Sequence, residues 1–81
     1  MPVYIADPVY KDLNKNTVIS EPIEFTDAKD LLKKHKNSVN SSQRNFMGYH
    51  IVAIKRLKMV FLHQNLLVEK NIEEILDSEL T

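Results

Sequence analysis

The chain has no cysteine, no tryptophan and a single glycine, Gly48, in its 81 residues. Without cysteine there is neither a disulfide framework nor a thiolate zinc site, and such a composition suits a reducing compartment. One glycine cannot build a glycine-rich phosphate loop, and no G-x-S-x-G nucleophile elbow occurs. The longest apolar runs, such as residues 51–54 and 59–62, are four residues. A bilayer-spanning helix needs roughly 20, so no membrane association is expected. The opening MPVYIADPVY has no basic leader and no long apolar stretch, so a secretory signal is not expected and the cytoplasm is the expected location. The three histidines, His35, His50 and His63, form neither H-x-H nor H-E-x-x-H. They read as half-buried polar side chains, and no metal or cofactor is expected. Glu73, Glu74 and Asp77 read as a solvated helix face rather than paired catalytic carboxylates, so an enzyme is not expected.

What the chain does have is segregated charge. The formal net charge is zero, but the signs are not mixed. Residues 1–28 carry two lysines against five carboxylates, a net −3. Residues 29–58 carry six lysines, Arg44 and Arg56 against Asp30, a net +7. Residues 59–81 carry Lys70 against five carboxylates, a net −4. A basic middle between acidic ends suits an anionic partner, or three segments that neutralise one another in the fold.

The hydrophobic pattern predicts a single domain over residues 1–81 with an α+β fold. A core this thin leaves a homodimer as an option. Residues 3–11 are rich in β-branched and aromatic types around Pro8, which predicts an extended edge segment because proline lacks a ladder donor. DLNKN (residues 12–16) predicts a turn. TVISEPIEF (17–25), interrupted by Pro22, predicts a second strand and hence a hairpin. Thr26 is the expected N-cap of a helix, with Asp27 and Asp30 in its first turn and Ala28, Leu31, Leu32 and His35 on its apolar stripe. A short second helix is expected from Ser38 or Asn40 through Phe46, anchored by Val39 and Phe46. Gly48 should stop it at positive φ. YHIVAI (49–54) predicts a buried strand, and KRLKMVFLH (55–63) is ambiguous. Residues 66–80 predict a C-terminal amphipathic helix that buries Val68, Ile72, Ile75, Leu76 and Leu80.

The order hairpin, helix, short polar helix, glycine and strand resembles the NUMOD family, small DNA-reading modules appended to homing endonucleases of mobile introns and phages. VYKDLNKNTVISEPIEF resembles that family's opening hairpin. TDAKDLLKKHKNSVNSSQRN resembles its helix pair, and MGYHIVAI its closing strand. The likeness covers about residues 9–54. It implies a helix-turn-helix-like pair in which the first helix supports a second that enters the major groove. Asn40, Ser41, Ser42, Gln43 and Arg44 would then face the nucleic acid, with types suited to base edges and phosphate. Lys33, Lys34 and Lys36 would lie along the backbone.

Two functions follow as expectations. In the first, the protein is a small nucleic-acid-binding regulatory or accessory factor of phage or mobile-element origin. Its partner would be DNA, met by the residues just named together with Lys55, Arg56 and Lys58. In the second, it is a small phage-type inhibitor or adaptor that meets a protein partner through the acidic C-terminal helix.

Overall fold

The computed structural model describes residues 3–38 and 45–80. Among these, an antiparallel sheet of five strands carries two helices, an α+β fold. The strands are β1 (Tyr4–Lys11), β2 (Thr17–Ile19), β3 (Ile23–Phe25), β4 (Phe46–Ala53) and β5 (Met59–His63). The helices are α1 (Ala28–Ser38) and α2 (Glu69–Ser78), the second preceded by a 3₁₀ turn at Gln64–Leu66.

β1 is not the edge strand that Pro8 suggested. It pairs with β4 on one side and with both β2 and β3 on the other. The proline is tolerated for a local reason. Its carbonyl accepts a hydrogen bond from Ser20 N–H at 3.0 Å. In a strand, N and C=O of one residue face the same side, so its missing donor faces the gap between β2 and β3. Pro22 closes that gap and splits the expected second strand into two. β3 and β4 both run antiparallel to β1, so α1 crosses over β1 to join them.

Alternation along the strands sorts side chains onto two faces. Tyr4, Ala6, Tyr49, Ile51, Ala53 and Leu62 point inward, where they form one core with Ala28 and Leu31 of α1, Ile72 and Leu76 of α2, and Leu80. Both helices therefore cover the same face. Residue 68, expected on the buried side, instead occupies the extended position before α2 and is 50% exposed. Ile75 is only half-buried.

α1 starts one residue later than expected. Asp27, not Thr26, caps it, its Oδ1 accepting the Asp30 amide at 2.8 Å. Asp30 reaches back to accept the Thr26 amide at 3.1 Å. That amide, and then Lys34 Nζ at 3.3 Å, hold the Asp30 carboxyl below the usual range. At the other end of the helix, His35 packs against Phe46 and Tyr49, and its Nδ1 shares a 2.6 Å hydrogen bond with the buried Tyr49 hydroxyl. Burial lowers the His35 pKa. Tyr10 packs on Phe46 in a tilted arrangement with centroids 5.3 Å apart, and burial raises its pKa.

Gly48 does sit at positive φ, +150°, but it stops no helix. It lies inside β4, and Phe46, expected to anchor a helix, is in the same strand. Val9 pairs with Gly48 while Tyr10 pairs with Phe46. Met47 is thus the extra residue of a β-bulge, which keeps Phe46 on the inner face. A Cβ on Gly48 would run into the Leu62 carbonyl oxygen and lie 2.9 Å from Phe61 Cζ. The glycine is required by the close approach of β5 and of the Phe61 ring.

Candidate nucleic-acid interface

Among the described residues, the cations of residues 29–58 fall on two elements, α1 and the β4–β5 turn. Ala53 pairs with Tyr4 at one end of the sheet, and Phe46 with Tyr10 at the other. The turn carrying Lys55, Arg56 and Lys58 extends from the Ala53 end. α1 starts beside that end, because it follows Phe25, the partner of Tyr4. It runs toward the Phe46 end, where His35 packs. Lys33 and Lys36 are exposed on α1. Lys34 is tied down, donating to the Glu24 carbonyl and pairing with Asp30. Asn40, Ser41, Ser42, Gln43 and Arg44 lie outside the described residues, as does most of the expected second helix. Asn45, just after them, accepts the Lys11 amide at 2.9 Å.

The β4–β5 turn is built by the backbone. Ala53 C=O accepts from Arg56 N–H at 3.1 Å and from Leu57 N–H at 2.9 Å. This closes a single helical turn that is not continued. Leu57 completes it at φ +52°, a left-handed conformation that glycine or asparagine would adopt more readily. Leu57 is 83% exposed, so no core contact explains a leucine there. Ile54 and Met59 are also exposed. The turn thus presents three cations, Lys55, Arg56 and Lys58, interleaved with apolar side chains. No Asp or Glu occurs anywhere from residue 31 to residue 68.

The outer face of the sheet, away from both helices, carries a feature that residue spacing did not suggest. His50 of β4 is directly opposite Phe61 of β5, and His63 lies two residues further along. Ring centroids are 5.0 Å apart for His50–Phe61 and 4.8 Å for Phe61–His63. The histidines are separated by 13 residues, so only the hairpin register brings them together. Their shared outward parity along β4 and β5 was a usable signal once the hairpin was known. Beyond His63 the hairpin ends at an open cleft of about 410 Å³ lined by Phe46, Met47, His63, Gln64 and Asn65. No group of three or more His, Cys, Asp or Glu able to hold a metal occurs among the described residues. No helix is long and apolar enough to cross a membrane among them either.

Comparison of the chain with known protein families, with curated proteins and with solved structures finds no match.

Proposed function

We propose that this protein binds nucleic acid as a regulatory or accessory factor, with the β4–β5 hairpin tip as a phosphate-contacting element. The observation that carries the reading is the exposed set Lys55, Arg56 and Lys58 around a left-handed Leu57. Left-handed non-glycine residues recur at ligand-contacting sites; Lys15 in the β1–β2 turn shares the conformation at φ +63°, and it is the surrounding cations that single out the Leu57 turn. Phosphate binding by such side chains displaces counterions and is strongly salt-dependent. Lys33 and Lys36 on α1 would add a second, separate contact. On the NUMOD-like arrangement, Asn40, Ser41, Ser42, Gln43 and Arg44 would form the second helix of a helix-turn-helix-like pair and read DNA bases.

The test is a fluorescence-anisotropy titration of labelled DNA and RNA at low and moderate salt. Binding should weaken steeply as salt rises. Lys55→Ala, Arg56→Ala and Lys58→Ala should each weaken binding on every sequence and reduce the salt slope by about one counterion. Absence of binding to any nucleic acid at low salt overturns the reading. The protein-partner alternative would then lead, supported by the exposed Glu73, Glu74 and Asp77 of α2 and Glu79 just after it.

A further inference from the structure

We infer that the outer face of the β4–β5 hairpin is a stacking track for a single-stranded nucleic acid, with unpaired bases laid on His50, Phe61 and His63. The inference rests on the phosphate-contacting hairpin tip proposed above, gives that tip a single strand, and is independent of duplex reading by residues 40–44. Both helices pack inward, so no described element lies over the outer face. Val9 is the buried apolar residue that stands outside the main core. It is sheltered on the outer side, where it pairs with Gly48. Phe61 lies across that same Gly48. The Phe61 ring is therefore held in place by the glycine beneath it and by a histidine on either side.

Three adjacent rings, with centroids about 5 Å apart and planes inclined by 59° at His50–Phe61 and by 76° at Phe61–His63, make a faceted aromatic surface rather than one flat platform. Aromatic side chains in such a position stack with any base, since every base has a π face. Only an unpaired strand can present its bases this way; in a duplex they are already stacked on each other.

Charge identifies the occupant and its path. The outer face has an acidic half and a half without carboxylates. Asp7 sits opposite His50 on β1, and Glu24 opposite Ile5 on β3. β4, its turn and β5 contain no carboxylate at all. A strand of phosphates is thus directed along the hairpin rather than across the sheet. At one end of the rings it meets Lys55, Arg56 and Lys58. At the other it reaches the cleft where the Gln64 and Asn65 amides can hydrogen-bond a base edge. In hairpin register the cations of the turn are followed by Val52 opposite Met59, then by the rings, and then by Gln64 and Asn65 just past β5. This accounts for the exposed His63 on a sheet face that no described helix covers.

The experiment measures anisotropy of labelled oligo(dT), oligo(U) and a mixed duplex with the full chain and three variants. Phe61→Leu keeps bulk over Gly48 but removes the π face. His63→Ala removes an exposed ring. Lys55→Ala reports charge alone. Thermal unfolding of each variant verifies folding, and His63→Ala serves as the independent variant should Phe61→Leu unfold. Expected are tighter binding to the single strands than to the duplex, and a loss of about 5- to 150-fold on single strands for each ring variant. Lys55→Ala should weaken single strand and duplex alike. If Lys55→Ala weakens binding while the folded ring variants do not, the charge reading stands and the stacking track is overturned. If no nucleic acid binds, both fall. If the ring variants instead change the protein's own sedimentation, with no effect on oligonucleotide affinity, the face belongs to a second copy of the chain and the inference is overturned.

Discussion

The two faces of the sheet have opposite physical logic. The inner face is covered by both helices, and Tyr49, Ile51, Leu62, Leu31 and Ile72 are fully buried there. The outer face keeps His50, Val52 and Phe61 half-exposed and His63 exposed, beside Met59 at 58% exposure. Both faces are made by the same strands, residue by alternating residue. The inner face therefore explains why the chain folds, and the outer face is where a contact can be lost without losing the fold. Gly48 joins the two, since the bulge beside it keeps Phe46 inward while its lack of a side chain admits Phe61 from outside.

Substitutions can break or sharpen that contrast. The largest effect is expected on the inner face. Ile72→Ala should cost roughly 2–5 kcal/mol in denaturant unfolding, because it removes methylenes from a fully buried site and leaves a cavity. The corresponding change at half-buried Ile75 should cost less. Equal losses at the two positions would contradict the packing of α2 described above.

Gly48→Ala should come next. The positive φ alone costs on the order of 1–3 kcal/mol for a non-glycine residue, and the added Cβ meets the backbone of β5 besides. A midpoint close to wild type would mean that the bulge relaxes at little cost. Asp27→Ala should cost about 1 kcal/mol as loss of an N-cap, and Thr26→Ala only a few tenths. Reversed magnitudes would return the helix start to Thr26.

Phe61→Leu, on the outer face, is a swap of one apolar side chain for another at a half-exposed site and should cost less than about 1.5 kcal/mol. The smallest effect expected is a pH dependence from His35. Its folded pKa is lowered by burial, so the unfolded chain takes up the proton first. Its share of stability is complete above the unfolded value of about 6.5 and is lost as pH falls from there toward the folded pKa. Unfolding midpoints at neutral and mildly acidic pH should show that slope, and His35→Phe should flatten it. An unchanged slope in His35→Phe would assign the dependence to another group.

Several parts of this architecture were legible in the residues themselves. Asp12 and Asn16 spell a turn, and the Asp12 Oδ1 does accept the Asn14 and Asn16 amides at 2.9 and 2.8 Å. Ala28, Leu31, Leu32 and His35 spell the buried side of α1, whereas positive φ at Gly48 was expected for a helix end and occurs instead within β4. The second turn was not legible. Nothing in K-R-L-K marks a left-handed residue, and Leu57 takes that conformation because the Ala53 carbonyl closes the hairpin around it.

Local chemistry was enough to decide the α+β class, the helix stripe, the first turn and the concentration of positive charge in the middle of the chain. These depend on side-chain periodicity, hydrogen bonds a few residues apart and composition, all of which are present in the linear order. Tertiary structure alone decided that β1 is interior despite Pro8, because a gap between two partner strands is a non-local fact. It likewise decided that Gly48 serves a bulge rather than a helix end. The three rings of the outer face meet for the same reason: strand register sets Phe61 opposite His50 and His63 opposite Gly48, and register is set by packing across the whole sheet.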